Sequence, residues 1–135
     1  MLLKPNPSSG VPIYLQLIGQ IKHAIETGAL RAGEQLPGIR KLAEELVINP
    51  NTVAKVYREL EREGVIELRQ GTGAFVAERK EAIVRPQILR AAPLIKHLVS
   101  KLAALNLSEE EMRRLFEAEL TNLRENGLPK ASSKR

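Results

Sequence analysis

The chain contains no cysteine. That excludes disulfide frameworks, thiolate zinc sites and cysteine nucleophiles, and it fits a reducing cytoplasm. Aromatic residues are scarce, at 3% of the chain. A core must therefore be built from Leu, Ile, Val and Ala, as in small helical domains. No apolar run approaches the ~20 residues that a membrane-spanning helix needs. The opening Met1-Leu2-Leu3-Lys4-Pro5 has no long apolar region behind it, so no signal peptide is expected. The histidines, His23 and His97, each stand alone in sequence and read as surface or core residues. No paired His/Asp/Ser set, metal-spaced cluster or Walker-type phosphate loop occurs. Catalysis is not expected, and neither a metal nor a cofactor is implied. Glu109-Glu110-Glu111 resembles a carboxylate cluster, but acidic residues suit a helix amino end for its dipole alone.

What remains is a soluble, globular composition of 135 residues, 43% hydrophobic and 27% charged. That length suggests one compact domain, or a small domain with an appendage. The net charge is +5, which permits nucleic acid as a partner. The excess is spread along the chain, about +2 in residues 1–80 and +3 in 81–135. Charge alone does not specify DNA.

Residues 1–11 carry Pro5, Pro7, Ser8, Ser9 and Gly10 and read as a flexible arm. Pro12 suits a first helical position. Ile13, Leu17, Ile21 and Ile25 recur every four residues, flanked by Tyr14, Ile18 and Ala24, and predict an amphipathic helix ending near Gly28. Leu30 to Leu36 reads as a turn and a short strand-like stretch. Ile39, Leu42, Ala43 and Leu46 predict a short second helix. Asn49-Pro50 restarts the chain as a cap followed by a helix-initiating proline. Val53, Val56, Tyr57 and Leu60 then mark a third helix, stopped near Gly64. Two β-prone stretches, Val65 to Leu68 and Ala74 to Ala77, flank the turn Arg69-Gln70-Gly71-Thr72-Gly73 and predict a hairpin.

Helix, helix, turn, helix, hairpin is the order of a winged helix-turn-helix. The third helix carries Asn51, Lys55, Arg58 and Arg62 opposite its apolar face. Asn51 and Thr52 lie in its first turn, where a recognition helix meets base edges. Asn suits adenine, and Lys suits guanine or phosphate. By itself the stripe also fits a solvated face, because Glu59, Glu61 and Glu63 are interleaved; its place between a helix-turn and a hairpin favours DNA. Arg69 and the glycines of the turn are the candidate wing. A winged helix that binds protein instead would lack this basic first turn and wing.

The segment Glu34-Gln35-Leu36-Pro37-Gly38-Ile39-Arg40-Lys41-Leu42-Ala43 resembles the E-x-L-P-S-x-R-x-L-A signature of GntR-family regulators. Pro12-Ile13-Tyr14-Leu15-Gln16, Asn51-Thr52-Val53, Leu60-Glu61, Gly64-Val65-Ile66 and Gly71-Thr72-Gly73-Ala74-Phe75-Val76 fit the same family. The resemblance covers about residues 11–78. Asn49 to Val53 and the short helical tail are similar to the YtrA-like branch in particular. The resemblance implies a phosphate contact by Arg40, with Lys41 beside it. It puts Pro50, Asn51 and Thr52 at the DNA-contacting turn of the recognition helix, and Gly71 and Gly73 in the wing. Two departures matter. Gly38 stands where the family usually has Ser, and it loses a capping hydroxyl. Ala54 stands where many relatives carry a guanine-reading Arg, so base readout by that residue is absent here, and Lys55 is at most a substitute.

The tail changes character. Leu94, Ile95, Leu98, Leu102 and Leu105 form one apolar stripe, with Pro86 and Pro93 limiting or kinking that helix. Ser108 with Glu111 matches a capping box. Met112, Leu115, Phe116, Leu120 and Leu123 form a second stripe. A two-helix hairpin cannot bury two apolar faces by itself: it packs either back on the winged helix of its own chain, as a monomer, or on a second copy. The winged helix has its own core, so the stripes read as a homodimerisation surface. A small-molecule effector at that interface stays open, but no polar constellation indicates one. The expectation is a mainly α chain with a small β-hairpin: arm 1–11, winged helix-turn-helix 12–79, and two-helix dimerisation tail 80–135. Its expected work is repression in the cytoplasm as a homodimer on an inverted-repeat operator, with no membrane contact.

Overall fold

The computed structural model describes residues 3–78 and 85–127. The chain divides into two compact units, Met1–Ala91 and Ala92–Arg135. The sequence boundary at 79/80 lies outside the described residues.

The first unit is built on three helices. In α1 (Ile13–Glu26), Leu17, Ile18, Ile21 and Ile25 are buried, on the face that the spacing predicts. Pro12 is its cap rather than its first residue. The short α2 (Ile39–Leu46) buries Leu42 and Ala43. It closes on Val47, whose backbone is left-handed at φ 56°. In α3 (Pro50–Arg62), Val53, Val56, Tyr57 and Leu60 are all buried. Asn49 caps it: its side chain accepts a hydrogen bond from the Asn51 N–H at 2.8 Å. Pro50 follows at the position where a missing N–H costs nothing.

The hairpin pairs β1 (Ile66–Arg69) with β2 (Gly73–Val76), antiparallel, Ile66 opposite Val76 and Arg69 opposite Gly73. The Thr72 N–H donates to the Arg69 carbonyl at 2.9 Å and closes the turn. Ile66, Ala74 and Val76 face the helical core. The strand-like stretch before α2 pairs with this hairpin. The Leu36 N–H donates to the Ala74 carbonyl at 2.8 Å, and the Val76 N–H to the Glu34 carbonyl at 2.8 Å. Gln35 bridges Phe75. The segment entering α2 thus lies along the outer edge of the two-stranded wing, held by an isolated bridge and its flanking backbone bonds.

Residues 3–11, read from sequence as a flexible arm, lie against α1. Leu3 is buried in the core. The Gln20 amide exchanges hydrogen bonds with the Lys4 backbone, at 2.9 and 3.0 Å. The Gln16 amide does the same for Asn6, at 2.7 and 2.9 Å. A 3-10 turn, Pro7–Ser9, carries the chain across to Val11.

The second unit contains most of α4 (Pro86–Ala104) and all of α5 (Glu109–Glu125). Pro86 opens α4 and Pro93 sits inside it. Asn106, left-handed at φ 64°, makes the turn. The Ser108 hydroxyl accepts from the Glu111 N–H, and the Glu111 carboxylate accepts from the Ser108 N–H, which completes the capping box. That backbone donor holds the Glu111 carboxyl below the usual carboxylate range. Neither helix buries a residue fully.

Candidate nucleic-acid interface

The recognition elements are fixed to one another by buried groups. Tyr57 of α3 is 1% exposed. Its hydroxyl donates to the Pro37 carbonyl at 2.7 Å, which ties the recognition helix to the residue just before the Gly38 cap of α2. Burial pushes the Tyr57 phenol above its ordinary range, and the Glu45 charge adds to this. The group therefore remains a donor at neutral pH. Gly38 brings no side-chain cap, so the amino end of α2 keeps its N–H groups for water or an outside acceptor.

Arg40 and Lys41 lie exposed in the first turn of α2. On α3, Pro50, Asn51, Lys55 and Arg58 are exposed, and Thr52 is half-buried. Arg40, Lys41, Lys55 and Arg58 make no ion pair among the described residues. Arg62, the last of the sequence stripe, pairs with Glu59, and that contact lowers the Glu59 carboxyl and raises the guanidinium. The stripe is therefore neutralised at its far end and open at its amino end. Lys55 is turned toward α1, with its ammonium 3.8 Å from the centre of the Tyr14 ring.

The wing is braced as well. The Gln35 side-chain amide donates to the Thr72 carbonyl at 3.0 Å. Gly73 has a left-handed φ of 127°, and a Cβ there would meet that amide at 3.0 Å. Gly71, at φ 78°, faces open space, so a partner's backbone can approach it closely. Arg69 lies over the Phe75 ring at 4.2 Å and pairs with Glu67 at 3.3 Å. Its charge is thus partly met within the wing. A cleft of about 580 Å³ separates the amino end of α2 from the wing, lined by Gly38, Arg40, Lys41, Arg69, Gly71 and Gly73 among others.

The structure thus brings Arg40, Lys41, Arg69, Gly71 and Gly73 to one cleft, while Pro50, Asn51, Thr52, Lys55 and Arg58 project from α3. The residues read as dimerising, Leu94, Ile95, Leu98, Leu102, Leu105, Met112, Phe116 and Leu120, all lie on α4, α5 or the turn between them. Sequence reasoning missed the bracing roles of Gln35, Tyr57 and Tyr14. Only the polar Gln35 inside a β-prone stretch gave a signal. Among the described residues no group of His, Cys, Asp or Glu could hold a metal ion. No described helix is long and apolar enough to cross a membrane.

Three packed helices, a turn between α2 and α3 and a braced hairpin define a winged helix-turn-helix, the DNA-binding module of transcription regulators. Comparison with known proteins specifies it further. The profile of bacterial regulatory proteins, gntR family, matches residues 13–76. The HTH-type transcriptional repressor YtrA of Bacillus subtilis is 38% identical over 73% of this chain and 76% of its own length. The uncharacterized regulator YhcF of the same organism is 36% identical over 77% of this chain and 86% of its own. Among solved structures, YtrA from Sulfolobus acidocaldarius, a GntR-family transcription factor, superposes with a TM-score of 0.53 at 30% identity. That match covers 90% of this chain and 99% of the other. The chain belongs to the GntR family, and its relatives of YtrA type are transcription regulators rather than enzymes.

Proposed function

We propose that this regulator is a repressor that binds an inverted-repeat operator as a homodimer in the cytoplasm. The observation that carries the DNA contact is the set of unpaired cations on α2 and α3, beside a wing whose glycines stand open. Arg40 and Lys41 meet phosphates, helped by the uncapped amides of α2. Asn51 and Thr52 read base edges in the major groove. Gly71 and Gly73 let the wing backbone approach the flanking groove.

Two copies follow from the tail. Leu98 and Phe116 remain 43% and 47% exposed. They border an apolar cleft of about 300 Å³ between α4 and α5, shared with Ile95, Val99, Leu102 and Met112. Such a surface on a water-soluble chain calls for cover, and a second copy supplies a matching one. Two recognition helices then meet two half-sites. A relative named as a repressor supports the sign of regulation.

The test is sedimentation equilibrium together with operator titration. The parent is expected at twice the chain mass. Leu98→Glu combined with Phe116→Glu is expected to give a folded monomer that loses operator binding. Arg40→Ala is expected to weaken binding to every sequence, while Asn51→Ala alters sequence preference. A monomeric parent, or unchanged binding in both DNA-face variants, would remove the proposal.

A further inference from the structure

We infer that Tyr14 is a positioning residue for DNA recognition, its ring holding the ammonium of Lys55, a residue of the exposed stripe of α3. The inference rests on the DNA reading above and adds to it a residue outside the helix-turn-helix. Lys55 stands one helical turn after Asn51, on the same exposed stripe. A free lysine samples many rotamers, and ordering it on a phosphate or base loses that freedom. Here the ammonium lies 3.8 Å from the Tyr14 ring centre, well inside the reach of a cation–π contact.

Tyr14 is half-buried and packs against the core from α1. The contact leaves the charge usable, because a ring face neutralises nothing and the ammonium keeps donors for an outside acceptor. The nearest carboxylate along the helix, Glu59, is occupied by Arg62. Lys55 makes no ion pair among the described residues. Nor does the Tyr14 hydroxyl make a hydrogen bond among them. The role therefore belongs to the ring. It matters more here because Ala54, the neighbouring position, cannot reach a base with a polar group.

The experiment is a double-mutant cycle with the full chain on a duplex carrying the selected operator, with unfolding midpoints checked for each variant. Tyr14→Phe keeps the ring and is expected to bind within twofold of the parent. Tyr14→Leu is expected to weaken binding about threefold. Lys55→Ala is expected to lower the salt slope by about 1 and to make a further Tyr14→Leu change silent. In the free protein, the Lys55 Hε protons are expected to show a ring-current upfield shift that Tyr14→Leu abolishes. An equal Tyr14→Leu loss in the Lys55→Ala background would reduce Tyr14 to a packing residue and overturn the inference. So would a Tyr14→Phe loss as large as that of Tyr14→Leu, which would assign the role to the hydroxyl. Absence of the upfield shift overturns the geometry without DNA. Loss of operator binding by the parent itself identifies failure of the DNA reading instead.

Discussion

Replacing Tyr57 by Phe isolates one hydrogen bond at the junction of the recognition helix and α2. The residue is 1% exposed, and Phe keeps the ring's volume, so no cavity opens. What is lost is the donor to the Pro37 carbonyl at 2.7 Å. A typical intramolecular hydrogen bond contributes about 0.5–1.5 kcal/mol net, and a stranded buried acceptor costs about 1–3 kcal/mol. Pro37 is only half-buried, so water relieves part of that cost. The expected loss is about 1–2 kcal/mol, or roughly 5–10 °C in Tm for a domain of this size. Urea unfolding followed by circular dichroism measures it, with an unchanged slope expected because the surface exposed is the same. The pH dependence gives a second reading. The folded phenol is raised above its ordinary value by burial and by Glu45. Its contribution is therefore complete below the unfolded value of about 10 and is lost as pH rises toward the folded one. The gap between parent and variant is expected to be flat from neutral pH to about 9 and to narrow above 10. An unchanged urea midpoint at pH 7 would refute the claim that this bond locks the two elements.

Other substitutions test neighbouring parts of the account. Val47 is β-branched, left-handed and 88% exposed; Val47→Gly is expected to stabilise the chain by about 1 kcal/mol, seen as a higher urea midpoint. Asn49→Ala removes the cap of α3 and is expected to cost about 1 kcal/mol; operator affinity should fall with it, because the first turn of α3 loosens. The Glu111 carboxyl is lowered in the folded state by the Ser108 N–H. Its contribution is present above the unfolded carboxylate value and is lost as pH falls through the folded one. Glu111→Gln is therefore expected to flatten the acid-side loss of α5 helicity, measured by circular dichroism.

Much of this architecture is legible from local spacing. The buried face of α3, Val53, Val56, Tyr57 and Leu60, is the periodic set that the sequence displays. The Asn49-Pro50 start and the Ser108–Glu111 box are one-turn patterns, and they read directly. Contacts between distant segments are not encoded that way. Leu30 to Leu36 announces a strand but not its partner, which is β2. The proline- and serine-rich arm carries no periodicity, yet the amides of Gln16 and Gln20 hold it on α1. At the site, helical spacing puts Lys55 on the open face and the turn puts Arg69 in the wing. That each lies over an aromatic ring from another stretch, Tyr14 or Phe75, depends on tertiary packing.

Selection of genomic fragments by the purified full chain, at near-physiological salt where non-specific binding is weak, tests the central claim most directly. The account predicts enrichment of an inverted repeat whose half-sites lie about one helical turn apart or a multiple of it, and a lower recovery of those fragments with Arg40→Ala. Fragments recovered without any shared repeat, and equally well by Arg40→Ala, would contradict it.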